Sequence, residues 1–182
     1  MEDLRIVIGN FGGPEVFKIV IEPVKEVTDK MIRVKVEASG VSFADIMIRE
    51  GKYPNNPVLP FTPGYELVGI VDAVGENVSL VKKGDRVGAL TMTGGYATYA
   101  YIPDSELVVI PSTIHPHHAA ALFLNYVSAY QLLNRMFTLK DDQTILIHGA
   151  AGGVGSALVD LAKLKNVTIF GTASERSHLF IG

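Results

Sequence analysis

Between Leu4 and Ile110 the apolar positions come in short runs, many alternating with polar ones, and turn-forming residues separate them. LRIVI from Leu4, FKIVIE from Phe17 and MIRVKVEA from Met31 are rich in β-branched residues, with Gly12-Gly13-Pro14 and Thr28-Asp29-Lys30 between them. A period of two bounded by turn residues predicts strands. Further strands are predicted over 67–74, 85–90, 96–102 and 107–110. Many short strands with regular turns point to a closed or nearly closed β-barrel. One helix interrupts them: Ser42 is suited to its N-cap, and Phe43, Ile46, Met47 and Glu50 follow at helical spacing.

After Pro111 the period changes. Ala119, Leu122, Phe123, Tyr126, Val127, Tyr130 and Leu133 recur at helical spacing among alanines, which predicts one or two helices over 115–136. A polar connection, Thr138 to Asp142, leads to a buried strand over 144–148, a glycine turn, a helix over about 154–165 and a second strand over 167–171. That is a βαβ unit with a parallel strand pair and a right-handed crossover. Two domains are expected, 1–124 and 125–182.

Composition narrows the function. With 48% hydrophobic residues and a formal charge of -3 from 16 basic and 19 acidic residues mixed along the chain, a globular, soluble protein is expected, with no electrostatic footprint for nucleic acid or an anionic membrane. The partner expected is a small molecule. The absence of cysteine excludes disulfides, thiolate catalysis and thiolate-ligated zinc. MEDLRIVIGN is acidic and does not read as a secretory signal, and no apolar stretch approaches the roughly 20 residues of a membrane span. These features predict a cytoplasmic protein without a transmembrane segment.

The chemistry is concentrated at Gly149-Ala150-Ala151-Gly152-Gly153-Val154-Gly155, between the buried strand and an alanine-rich helix. Without side chains the backbone can approach a pyrophosphate, the helix N-terminus supplies unpaired N–H groups and partial positive charge, and Gly155 permits close packing of helix on strand. A tight turn with no ligand would need the same glycines, but strand, turn, helix and second strand are all in place, which favours phosphate binding. An NAD enzyme usually places a carboxylate about 20 residues past the glycines for the ribose 2′-hydroxyl. Here that place reads Gly171-Thr172-Ala173-Ser174-Glu175-Arg176; no carboxylate ends the strand, whereas Ser174 and Arg176 can accept a 2′-phosphate. NADP(H) is expected, with Thr172, Ser174 and Arg176 in its site.

GVSFADIMIREGKYP from Gly40, PFTPGYELVG from Pro60, VKKGDRV from Val81 and the glycine turn, in this order and spacing, resemble the medium-chain dehydrogenase/reductase superfamily. NYVSAY from Asn125 and NVTIFGTAS from Asn166 resemble its quinone oxidoreductase and vesicle amine transport protein branch. The resemblance covers the whole chain and implies a mixed α/β fold: a GroES-like β-barrel, then the start of a doubly wound Rossmann domain whose cleft against the barrel holds the nicotinamide. It also implies independence of zinc. Zinc-dependent relatives carry a cysteine where Ser42 stands and a histidine where Tyr65 stands; of that pattern only Glu66 remains, and His115, His117 and His118 read as solvated or capping residues.

Zinc-free members of such a family act as reductases, delivering a hydride from NADPH to a quinone or an α,β-unsaturated carbonyl. The resemblance makes Tyr53 the proton donor and puts Ser42 and Ser128 beside the nicotinamide. Each has a plainer reading, Tyr53 as a loop aromatic and Ser42 as a helix cap, with Asp45 structural. Relatives continue for several more strands, so the chain is expected to be the amino-terminal part of such an enzyme or to be completed by another chain, and a homo-oligomer is compatible with the resemblance. A non-catalytic structural or interaction protein that keeps the fold is the alternative.

Overall fold

In a computed structural model, which describes residues 1–180, the alternating runs become seven strands: β1 (Glu2–Ile8), β2 (Phe17–Pro23), β3 (Met31–Ala38), β4 (Glu66–Val74), β5 (Arg86–Leu90), β6 (Tyr99–Pro103) and β7 (Val108–Val109). All pair antiparallel. β1 and β2 form one sheet, and β6-β3-β4-β5-β7 form a second of five strands. Isolated bridges Arg5↔Ala97 and Ile8↔Phe61 tie the first sheet to the chain beside the second. The barrel is therefore two ladders stitched together, and the β3·β4 register shifts at Arg33/Val34 and Val36/Ala38. Shifts of this kind bend and twist a sheet, as its curvature requires.

Inward-facing positions fill the core because successive strand residues point to opposite faces. Ile32, Val34, Leu67, Val71, Val87 and Ile102 form it, all almost fully buried. Asp3 is also buried, at 1% exposure. Its carboxylate pairs with the Arg5 guanidinium and accepts the Tyr99 N–H at 3.0 Å, which fastens β1 to β6. A buried charge is tolerable when it is paired and hydrogen-bonded in this way.

The helical period gives α1 (Phe43–Arg49) between β3 and β4, then α2 (Pro116–Gln131), which ends in a π-helical turn (Leu132–Met136). β8 (Thr144–His148), α3 (Gly153–Ala162) and β9 (Thr168–Thr172) follow, and a 3-10 segment begins at Glu175. β8 and β9 are parallel, in register from Thr144↔Thr168 to His148↔Thr172, as the βαβ pattern predicts. Leu133, Leu139 and Ala162 are buried with Ile145, Leu158 and Ile169 packed on them. By contact the chain divides into two compact units, Met1–Phe123 and the residues from Leu124 onward, with the division inside α2. Among the described residues no helix is long and apolar enough to cross a membrane.

Candidate functional site

The residues singled out in the sequence fall into two groups, one in each unit. In the first unit, Ser42 caps α1. Its hydroxyl accepts the Asp45 N–H at 3.2 Å and donates to Asp45 Oδ2 at 2.6 Å, and the Ser42 N–H donates to the same oxygen at 2.8 Å. This is a reciprocal capping box, which satisfies backbone donors that a short helix leaves open. The hydroxyl proton of Ser42 is thereby committed, leaving it lone-pair capacity only.

Asp45, 5% exposed, also reaches the next element: its Oδ1 accepts the Tyr65 N–H at 3.1 Å. Tyr65 in turn meets Tyr53. The two phenol oxygens are 3.2 Å apart, and the rings stand edge to face with centroids 6.2 Å apart. Ser42, Asp45, Tyr65 and Tyr53 are thus linked residue to residue, through the backbone N–H of Tyr65 on the Asp45 side and through its phenol on the Tyr53 side. Nearby, Tyr96 donates to the Gly40 carbonyl at 3.0 Å, and a Cβ on Gly40 would lie 2.1 Å from Glu66 Oε1, so the carboxylate packs on that glycine.

The electrostatics follow from this packing. The hydrogen bond to Tyr53, then burial, then the charges of Tyr53 and Asp45, push the Tyr65 phenol up to about 12. Burial, and after it Asp45 and Glu66, push the Tyr96 phenol up as well. Among the described residues no group of three or more histidine, aspartate or glutamate side chains is placed to hold a metal ion.

Two predictions arise here. Ser42→Ala removes the side-chain half of the cap and is expected to lower stability by about 1 kcal/mol, read as a shift of the urea unfolding midpoint. Tyr53→Phe removes the largest cause of the Tyr65 shift. An ultraviolet tyrosinate titration should then show the Tyr65 midpoint falling from about 12 toward 10.0. The sign for stability is fixed: the folded phenol holds its proton through a range where the unfolded one loses it, so the contribution is complete below pH 10 and is lost as pH rises toward 12.

In the second unit, β8 ends at the glycine turn. Gly149 has φ +68°, a left-handed conformation that glycine adopts without strain, and its carbonyl accepts the Gly152 N–H at 2.8 Å. Gly152 is the N-cap of α3 and supplies no side-chain acceptor. The first-turn N–H groups, those of Gly153, Val154 and Gly155, have no intrahelical partner by construction. A Cβ on Gly155 would lie 2.1 Å from the Gly149 carbonyl oxygen, so strand end and helix touch through backbone alone.

Ala150 is 2% exposed and donates its N–H to the Thr172 carbonyl at 2.9 Å, which brings the end of β9 to the turn. The Thr172 hydroxyl lies 3.0 Å from His148 Nδ1. Beyond it, the Ser174 and Ser177 hydroxyls are 3.2 Å apart, and Arg176 is exposed with no ion pair among the described residues. A Cβ on Gly153 would come within 2.8 Å of the Asn125 side-chain amide, which therefore lies over the turn. Ser128 is one helical turn further along α2 on the same face. Its hydroxyl donates to the Leu124 carbonyl at 2.6 Å.

Asn125, Tyr65 and the second role of Asp45 were not assigned from the sequence, because each depends on a contact between segments. His115, His117 and His118 stand exposed at the start of α2; the His115 ring meets His117 edge to face at 4.8 Å between centroids and lies tilted to His118 at 5.8 Å.

Residues 28–112 match the alcohol dehydrogenase GroES-like domain. The chain is 40% identical over 167 residues to the quinone oxidoreductase of Homo sapiens, 90% of this chain and 50% of that protein. It is also 40% identical over 176 residues to the human synaptic vesicle membrane protein VAT-1 homolog, 95% of this chain and 45% of that protein. The crystal structure of Escherichia coli quinone oxidoreductase complexed with NADPH superposes with a TM-score of 0.87 at 34% identity, over 98% of this chain and 56% of that one. The chain spans about half the length of the curated relatives it matches. Its fold is a GroES-like domain followed by the start of a Rossmann-type region.

Proposed function

We propose that this chain, the counterpart of the amino-terminal half of quinone oxidoreductases and VAT-1 homologues, carries the NADPH-binding turn and the proton donor of a zinc-independent reductase. The acceptor in this reading is a quinone or an α,β-unsaturated carbonyl. The setting is cytoplasmic, the assembly a homo-oligomer, and the domains are 1–124 and 125–182. One observation carries the reading: Gly149, Gly152, Gly153 and Gly155 bring backbone alone to the uncapped N-terminus of α3, a geometry suited to a pyrophosphate.

Ala150 and Val154 belong to the same loop. Thr172, Ser174 and the exposed Arg176 suit a 2′-phosphate better than a 2′-hydroxyl, because no carboxylate ends β9. Ser128 has its proton committed and its lone pairs free, which suits the amide N–H of a nicotinamide, and Ser42 has the same acceptor character. Bound NADPH supplies the hydride. Tyr53 supplies a proton to the reduced acceptor.

NADPH binding to the chain, followed by nicotinamide fluorescence with NADH as competitor, tests this. Saturable binding that prefers NADPH by about tenfold, the size of one charge-assisted contact, is expected. A folded chain that binds neither dinucleotide sinks the reading. The chain is as similar to a relative named for its place in the synaptic vesicle membrane as to one named for an activity, which leaves a second reading, a non-catalytic interaction protein that keeps the fold. NADPH binding without turnover of any quinone or enone would select it.

A further inference from the structure

We propose that Tyr65 is the positioning residue for Tyr53, donating its phenolic hydrogen to the Tyr53 oxygen so that the Tyr53 proton remains available to the acceptor; this rests on the reductase reading above. The pair is 3.2 Å apart oxygen to oxygen. What distinguishes its members is how each is held. Tyr65 is fixed on both sides: its N–H donates to Asp45 Oδ1 at 3.1 Å, and its carbonyl accepts from Thr91 at 2.9 Å and Met92 at 3.1 Å. The residue before it, Gly64, has φ +107° and accepts the Gly95 N–H at 3.1 Å and the Thr91 hydroxyl at 3.1 Å. Tyr53 sits in the loop after α1 and is followed by Pro54. The partner fixed on both sides therefore sets the position of the loop tyrosine.

A phenol donates once and accepts twice. With the proton of Tyr65 directed at the Tyr53 oxygen, the Tyr53 O–H points elsewhere. Tyr65 is suited to donate because its own proton is held tightly, by that hydrogen bond first and by burial second. The step balances as follows. A reduced nicotinamide dinucleotide gives a hydride to the acceptor; the Tyr53 O–H bond breaks with its electron pair left on oxygen, and the proton forms a new bond on the acceptor. The Tyr65 hydrogen bond to that oxygen becomes charge-assisted and shortens. Water then returns a proton to Tyr53.

The test is a double-variant cycle on the chain, with Tyr65→Phe, Tyr53→Phe and both together, using NADPH and a quinone or enone. Phenylalanine keeps ring packing, and the Asp45 bond is to the Tyr65 backbone, so the unfolding midpoints should stay close. Tyr65→Phe is expected to lower kcat about tenfold with KM for NADPH unchanged, and to have no further effect when Tyr53 is already phenylalanine. A purely structural Tyr65 would lower the rate by the same factor in both backgrounds, and that result, or parental kcat in Tyr65→Phe, overturns the proposal alone. A parent chain that folds and binds NADPH but reduces no acceptor overturns the reductase reading and this proposal together.

Discussion

Tyr53→Phe is expected to lower kcat for acceptor reduction by about 10²-fold or more while NADPH affinity stays within about twofold. General acid catalysis by a positioned side chain is typically a factor of about 10² to 10⁴, so loss of the only proton that this phenol can give should dominate the rate. The cost to the fold is small by comparison. The variant keeps the ring and its edge-to-face contact with Tyr65, and it forfeits one hydrogen bond of 3.2 Å at a half-buried site. That bond contributes about 1 kcal/mol at most. Tyr53 lies 96 residues before Gly149 in sequence, and its contacts with Tyr65 are within the first unit. Steady-state NADPH oxidation with saturating cofactor measures kcat, and fluorescence titration measures binding. Parental turnover in the variant would remove the proton-donor role and leave cofactor binding intact.

The strands were legible wherever a single strong period governs them. MIRVKVEA over 31–38 and the apolar run over 144–148 become strands where the pattern predicts them. The second, expected to be buried, buries only Ile147 and leaves Thr144, Leu146 and His148 exposed, because among the described residues β8 has a single strand partner, β9. β6 was misplaced by three residues at its start, for a reason that lies in another sheet. The Tyr96 carbonyl accepts the Ile6 N–H and the Thr98 N–H donates to Leu4, while the Thr98 carbonyl accepts the Val36 N–H of β3, so residues 96–98 are shared between β1 and β3 and the regular β3 ladder begins at Tyr99. A local pattern cannot distinguish two extended partners. α3 likewise stops at Ala162 where the alanine-rich pattern runs on to Lys165. The Lys165 ammonium donates to the Leu139 carbonyl at 2.5 Å, and Asn166 is held by Asp141 and Asp142, so tertiary bonds end the helix.

The site divides in the same manner. The glycine turn was readable as a strand-to-helix turn because its determinants are local: glycine spacing, a strand before it and a helix after it. Ser42 as cap was readable too, since capping is a matter of residues three apart. The tyrosine pair was not. Tyr65 entered the sequence argument only as the place where a metal-binding histidine is missing, yet its phenol is the partner of Tyr53 twelve residues earlier in a loop. Asn125 over Gly153 is invisible for the same reason, because a packed helix brings it there.

The glycine turn carries the second large effect. Gly155→Ala would put a Cβ 2.1 Å from the Gly149 oxygen, 2.8 Å from its carbon and 2.9 Å from Ala150 Cα. All three are backbone atoms, so no side chain can turn aside to make room, and relief requires the strand end and helix to separate by about 1 Å, the difference from ordinary packing distance. Overpacking of this kind costs about 1 to 3 kcal/mol, which urea unfolding should register as a lower midpoint. The displaced atoms belong to the turn itself. Moving the Gly149 carbonyl also disturbs the Gly152 N–H that it accepts at 2.8 Å, and with it the entry to α3. A misplacement of about 1 Å in a binding geometry can cost about 10²-fold, so NADPH affinity is expected to fall by at least tenfold. Gly152→Ala is the control: there a Cβ meets only the Gly149 oxygen, at 3.2 Å, a contact that a few tenths of an ångström relieve. Its effect on unfolding should be much smaller. If Gly155→Ala binds NADPH as the parent does, the close approach of helix to strand is not what shapes the cofactor site.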